Sequence, residues 1–327
     1  MTTLVFTHSS SLAHETPPGH PERVDRIKAV NSVLASPALR GFNRKDAPLG
    51  TDEHVLLAHT AEHVQRMRSL SPESGFEYID ADTVMSPAAL EAALRAVGGA
   101  TAGVDAVFRG EADNVFVATR PPGHHAEHNK AMGFCFFNHA AVAALYARQR
   151  YNAERIAVLD FDVHHGNGTQ DIFWSDADAF YGSSHQMPLY PGSGSATETG
   201  AGNIFNAPLL AGNGGVEFRS AWSNVILPSL ETFSPDLIVI SAGFDAHVRD
   251  PLGSLQLTEE DFSWITLKIM EVADQYCSGR VVSVLEGGYD LQGLAGGVGV
   301  HLHALMHGDV GMLEEAQDDN DWNEDED

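Results

Sequence analysis

Six short segments, separated by stretches of helical periodicity, carry the β-strand signal in this chain, and their apolar character constrains the fold more than any other feature. They are Leu4–Thr7, Asn114–Ala118, Arg155–Asp160, Ala179–Ser183, Leu237–Ser241 and Arg280–Leu285. Four are nearly unbroken apolar runs, which predicts strands buried on both faces of a parallel sheet. Helices are expected between them over Pro21–Ala35, Pro87–Phe108, Asn138–Gln149, Val216–Thr232, Glu259–Tyr276 and Leu291–Met306. Ser86-Pro87 reads as an N-cap followed by proline at the first helical position, and Thr258 before two glutamates is a second start signal. The β-α-β-α order argues for an α/β protein with an open, mostly parallel sheet sandwiched by helices. There is no internal repeat and no long Pro-, Gly- or Ser-rich linker, so residues 1–307 read as one domain.

Apolar residues make up 43% of the 327, enough for a sizeable core. No apolar run approaches the roughly 20 residues needed to span a bilayer. Met1–Ser9 has no basic residue before its apolar patch and does not read as a secretion signal. Two distant cysteines, Cys135 and Cys277, suit a reducing compartment. These features predict a cytoplasmic protein with no membrane partner. The net charge is −26, and nine of the carboxylates lie in residues 314–327, which hold no Lys or Arg. Residues 308–327 are therefore expected to form a disordered acidic tail. Without those nine the body still carries −17. Such a field repels a phosphate backbone, which excludes nucleic acid, and attracts cationic substrates.

Ligands of open α/β sheets bind at the carboxyl ends of the strands. Four polar clusters follow strand candidates here: Arg120-Pro-Pro-Gly-His124-His125, Asp160-Phe-Asp162-Val-His164-His165-Gly-Asn167, Gly243-Phe-Asp245, and Glu286-Gly-Gly-Tyr289-Asp290. On one edge of one sheet they would converge. Asp162 and His164, two apart on an extended segment, point the same way and can grip one ion. Asp245 from a neighbouring strand end would complete an open three-ligand site suited to Zn²⁺, with Fe²⁺ or Co²⁺ as other occupants. His124 and His125 can face one reacting centre, each needing a partner to fix its tautomer. Asp160 is the expected partner of His124 and Asn167 of His125. A carboxylate stabilises imidazolium better than an amide does, so His124 should hold its proton and His125 stay neutral. Tyr289, after Gly287 and Gly288, could donate to an oxyanion.

Together the motifs R-P-P-G-H-H-A, G-F-C-F-F-N, D-F-D-V-H-H-G-N-G-T-Q, S-A-G-F-D-A and E-G-G-Y-D resemble the histone deacetylase family, in the family's order. The resemblance runs from His20-Pro21-Glu22-Arg23 to about His307, and the spellings with Asn167 and Glu286 are closer to class II and its bacterial amidohydrolase relatives. It implies an arginase/deacetylase-like fold. It also implies one Zn²⁺ per chain on Asp162, His164 and Asp245, with Tyr289 polarising the substrate carbonyl and His124 and His125 as the paired imidazoles. The carbonyl of Gly133 would meet the substrate N–H, Phe134 and Tyr190 would wall a tunnel, and Gly287 and Gly288 would lie beside the substrate. A structural K⁺ would use Asp160 and Ser183 with backbone oxygens of Asp162, His164 and Ser184. Arg26 resembles an arginine lining an inner cavity through which acetate leaves.

The implied activity is hydrolysis of acyl-amide bonds, with acyl-lysine in peptides or proteins as the expected substrate and homo-oligomers as a possible assembly. Polyamine-preferring relatives carry a glutamate after the Asp-Pro that follows the third ligand. Here Asp250-Pro251 is followed by Leu252, which weighs against acetylpolyamines; the expected partner is an acylated lysine peptide or protein or a small acylated amine. Arginase-like chemistry would need the two-metal motifs D-A-H-x-D and S-x-D-x-D, and neither is present. A non-catalytic acyl-lysine binder is the other alternative, and the retained Tyr289 beside a full ligand set argues against it.

Overall fold

The protein is described from a computed structural model covering residues 1–310. The strands are β1 (Thr3–Thr7), β2 (Asn43–Asp46), β3 (Glu77–Tyr78), β4 (Val84–Met85), β5 (Asn114–Val117), β6 (Ile156–Asp160), β7 (Ala179–Gln186), β8 (Ile204–Leu209), β9 (Leu237–Ala242) and β10 (Val281–Leu285). Eight form one sheet in the order β2-β1-β5-β10-β9-β6-β7-β8, with every pairing parallel. Strands β3 and β4 form a small antiparallel ladder apart from it.

The helices are α1 (Ser10–Ala13), α2 (Val24–Leu34), α3 (Asp52–Val55), α4 (Ala61–Leu70), α5 (Ala89–Phe108), α6 (His139–Tyr151), α7 (Asn167–Phe173), α8 (Gly215–Ala221), α9 (Leu227–Phe233), α10 (Glu259–Cys277) and α11 (Leu291–His307). They cover both faces of the sheet. Val5, Phe116, Leu159, Ile238 and Ile240 pack against Ile27, Phe218, Leu230, Phe262, Ile269 and Leu302 from α2 and α8–α11. Their strand neighbours Leu4, Phe6, Val115, Val158, Val239 and Val282 turn the other way, onto Met67, Val97, Val104 and Ala140 of α4–α6. Successive side chains alternate between two cores, so the strands read as unbroken apolar runs.

All six expected strands are present, and β7 runs on three residues to Gln186. The two edge strands lack the signal: β2 is Asn-Arg-Lys-Asp, exposed throughout, and β8 carries Asn206 and Pro208. An edge strand needs neither two buried faces nor a full set of N–H donors. The Ser86 cap is corrected. Helix α5 starts at Ala89 without a side-chain cap, while Ser86 Oγ pairs with His14 Nδ1 at 3.1 Å and accepts from Glu15 N–H at 3.0 Å. The start at Glu259 is as expected, with the Thr258 N–H donating to the Asp261 carboxylate at 3.1 Å. The expected helix over Val216–Thr232 contains a wider, π-type turn at Trp222–Ile226. Pro228, just beyond it, has no N–H for the carbonyl four residues back.

Of the acidic tail expected over 308–327, only 308–310 belong to the described residues; Gly308 ends α11 in a left-handed conformation, φ 73°. No helix among the described residues is long and apolar enough to cross a membrane. Loops leaving the carboxyl ends of β5, β10, β9 and β6, four adjacent central strands, carry the four polar clusters.

Candidate active site

Asp162 and His164 lie just past β6, and Asp245 just past the neighbouring β9. Their donor atoms all lie within 4.8 Å of one another, and all three residues are buried. His164 Nδ1 is 3.2 Å from Asp162 Oδ1 and 3.0 Å from Asp245 Oδ2. The remaining oxygens are held by backbone: Val163 N–H donates to Asp245 Oδ1 at 2.8 Å, and Gly287 N–H to Asp162 Oδ2 at 2.9 Å. A Cβ at Gly287 would stand 2.2 Å from Asp245 Oδ2, so only glycine lets the loop after β10 approach this closely.

Two buried carboxylates in such proximity call for a cation. Burial and the Asp162 charge push Asp245 up to about 7. Against its own burial, the hydrogen bonds of Asp162 and Asp245 hold His164 up to about 10. Among the described residues, no Lys or Arg pairs with any of the three within 4.0 Å. The donor set therefore fits a divalent metal ion.

Beside it, the rings of His124 and His125 lie 4.0 Å apart. His124 Nδ1 meets Asp160 Oδ2 at 3.0 Å, and His125 Nδ1 meets Asn167 Oδ1 at 2.8 Å. The Asn167 amide is oriented by its other end, which donates to Glu127 Oε1 at 2.8 Å. Its oxygen can only accept, so His125 carries its proton on Nδ1 and leaves Nε2 a free lone pair. Burial lowers the His125 pKa well below the ordinary histidine range, and the neighbouring His124 and His164 lower it further. His124 is equally buried, but Asp162 and Asp160 overcome that cost and raise it well above the ordinary value. One imidazole is poised to take a proton and its neighbour to give one.

Tyr289 follows β10, with Arg26 over its ring at 4.8 Å and Phe134 edge-on at 5.9 Å. Burial pushes its phenol well above the tyrosine range, opposed by Arg26 and reinforced by Asp245 and Asp162, so it stays an O–H donor. A cavity of about 410 Å³ is lined by Gly133, Phe134, Tyr190 and Leu252 together with His125, His164 and Tyr289. Tyr190 is 39% exposed and stands edge-on to His125, ring centroids 5.1 Å apart.

One expectation differs in detail. Gly287 and Gly288 do not line this cavity; Gly287 braces Asp162, and the Gly288 carbonyl accepts from Arg26 Nε at 2.6 Å. Arg26 is buried and held on three sides. It is 1% exposed, with Nη1 on Glu22 at 3.0 Å and Nη2 on the Glu286 carbonyl at 2.5 Å. Asp160 and Ser183 are register partners across β6 and β7. The Ser183 hydroxyl also pairs with His185 Nδ1 at 2.8 Å.

Other residues enter only with the structure. Glu286 Oε2 accepts from the N–H groups of Gly123, at 2.6 Å, and His124, at 3.2 Å, fixing the histidine loop. Asp250 accepts from Tyr289 N–H at 2.6 Å. His20, Asp82 and Leu189 line the cavity. Glu286 and Asp250 sit inside motifs visible in the sequence, but a carboxylate that binds backbone N–H groups leaves no spacing signature.

Fold and site define a hydrolase of the deacetylase type on an arginase/deacetylase-like sheet. Residues 20–305 match the histone deacetylase domain, and the chain belongs to that family. It is 40% identical over 277 residues to a histone deacetylase-like amidohydrolase of Pseudomonas aeruginosa, covering 83% of this chain and 73% of that one. It is 36% identical over 325 residues to a probable deacetylase of Archaeoglobus fulgidus, covering 97% and 90%. A crystal structure of the HDA15 HD domain superposes with a TM-score of 0.88 at 35% identity, over 95% of this chain and 89% of that one.

Proposed function

We propose that the protein is a zinc-dependent deacylase that removes acyl groups from lysine side chains of peptides or proteins. The observation that carries this is the cavity lining, which joins apolar walls (Phe134, Leu189, Leu252) to His125, His164 and Tyr289 in one space. A methylene chain ending in an amide matches that pairing of surfaces. One Zn²⁺ held by Asp162, His164 and Asp245 would supply Lewis acidity to the amide carbonyl and the attacking water. His125 Nε2 takes the proton of that water, and protonated His124 gives one to the leaving amine. Tyr289 O–H donates to the carbonyl oxygen as it gains charge. The Gly133 carbonyl receives the substrate N–H. A structural K⁺ beside Asp160 and Ser183 belongs to the same proposal. So does a cytoplasmic location, which suits the two buried free thiols, Cys135 and Cys277.

Hydrolysis of acetylpolyamines is the second reading, favoured by Asp82, whose residue lines the cavity where Leu252 offers no charge. The deciding experiment compares kcat/KM of the zinc-loaded protein on acetyl-, trifluoroacetyl- and longer acyl-lysine peptides with that on acetylputrescine and acetylspermidine. The lysine peptides should be preferred. A tenfold preference for the polyamines would install the second reading, and no turnover of any amide would leave a binding module.

A further inference from the structure

Tyr289 stands on an unusual backbone. It follows two glycines, and Gly288 adopts φ 124°, a conformation closed to other residues. A side chain carried by such a segment swings unless the backbone on both sides is pinned. On one side Arg26 holds the carbonyls of Glu286 and Gly288. On the other stands Asp250, 7% exposed, from the loop after β9. Its Oδ2 accepts from the N–H groups of Tyr289 at 2.6 Å and Asp290 at 3.1 Å, and its Oδ1 from Leu252 N–H at 3.0 Å. Pro251 brings no N–H of its own. One buried carboxylate thus ties the tyrosine to Leu252, and both line the cavity.

We infer that Asp250 is a positioning residue that sets the Tyr289 hydroxyl against the acyl oxygen and fixes Leu252 relative to it. The inference rests on the role given to Tyr289 above. A carboxylate is required because both of its oxygens must accept. An amide offers one acceptor and turns its N–H₂ towards N–H groups on the other side.

The test is a double-mutant cycle on zinc-loaded protein, with active sites titrated so that misfolded molecules do not count. Asp250→Asn should lower kcat ten- to hundredfold, leave KM within threefold, and weaken binding of a hydroxamate that Tyr289 would contact. In the Tyr289→Phe background the same substitution should cost less than threefold in either quantity, because the group it positions is gone. Asp250→Glu, which keeps the charge but reaches one methylene further, gives the same comparison should the amide variant not fold. An equal loss in both backgrounds, or an unchanged kcat for Asp250→Asn, overturns the positioning role alone. Unchanged turnover in Tyr289→Phe by itself overturns both this inference and the mechanism it rests on.

Discussion

The division of labour between the two histidines can be tested by exchanging two side chains that touch neither metal nor substrate. Asn167 accepts from His125 and donates to Glu127. The double substitution Asn167→Asp with Glu127→Gln swaps amide and carboxylate between these positions. Net charge is conserved, and the 2.8 Å contact keeps one donor and one acceptor. What changes is that a full negative charge now stands 2.8 Å from His125 Nδ1, in place of an amide dipole. An opposite charge at this range raises a buried imidazole by about 1–3 pH units. Part of that is already felt from Glu127, so about 1–2 units remain, or roughly 1.4–2.7 kcal/mol.

His125 must be unprotonated to act as a base, so raising its pKa removes active enzyme at low pH. The acid limb of kcat/KM should therefore move up by about 1–2 units, with rates near the foot of the limb falling about ten- to hundredfold. The plateau should change far less. The assay is a pH profile at constant ionic strength with zinc saturating. An acid limb that stays within 0.3 unit, as a rough threshold, refutes the assignment of His125 as base. Movement of the alkaline limb alone would exchange the roles of the two histidines.

Four further outcomes follow from named groups. Purified protein should bind about one Zn²⁺ per chain, and chelation should abolish turnover; two metal ions per chain would refute the single site. Tyr289→Phe should lower kcat by about two to three orders of magnitude with zinc retained, as expected for one lost oxyanion donor; near-normal turnover removes it from the mechanism. Leu252→Glu should shift the ratio of kcat/KM values towards acetylpolyamines several-fold to about tenfold, the effect of one partly exposed ion pair; no shift at low salt removes Leu252 as selector. Burial holds His14, His59 and His301 down to about 3, and His139 and His185 down to about 4. Their folded pKa values lie below the unfolded one, so their stabilisation is complete above about pH 6.5 and lost as pH falls towards 3–4, each by about 1.4 kcal/mol per pH unit. The urea midpoint of the chelated protein should fall below about pH 6.5 and not above it; a midpoint that stays flat down to about pH 5 refutes this.

The sequence made the six inner strands legible because each is buried on two faces, and burial writes an apolar run. It said nothing of β2 and β8, whose outer edges face no neighbouring strand. The candidate metal donors and the histidine partners were legible for another reason. Asp162 with His164, His124 with Asp160 and His125 with Asn167 pair donors with acceptors, and a chemist can match those by type. The partners of Arg26 were not legible, because they are two carbonyls and Glu22 that no local pattern discloses. Ser86 failed similarly, its hydroxyl taken by His14, 72 residues away.

What positions the site is a set of braces between loops, each a buried carboxylate on a backbone N–H. Val163 N–H on Asp245 ties the loop after β6 to that after β9. Gly287 N–H on Asp162 ties β10 to β6, across 125 residues of sequence. Tyr289 N–H on Asp250 ties β10 to β9, and Gly123 N–H on Glu286 ties β5 to β10. Every one of the four central strands is thereby fixed to another at its carboxyl end. The strand order makes these loops neighbours, and the parallel register sets which N–H faces which oxygen. An extended segment reverses its side chains with every residue, so a one-residue slip of β10 against β9 would turn the braces outward. Metal donors, histidines and tyrosine thus depend on one register, and disturbing any brace should be felt at the others before the fold itself is lost.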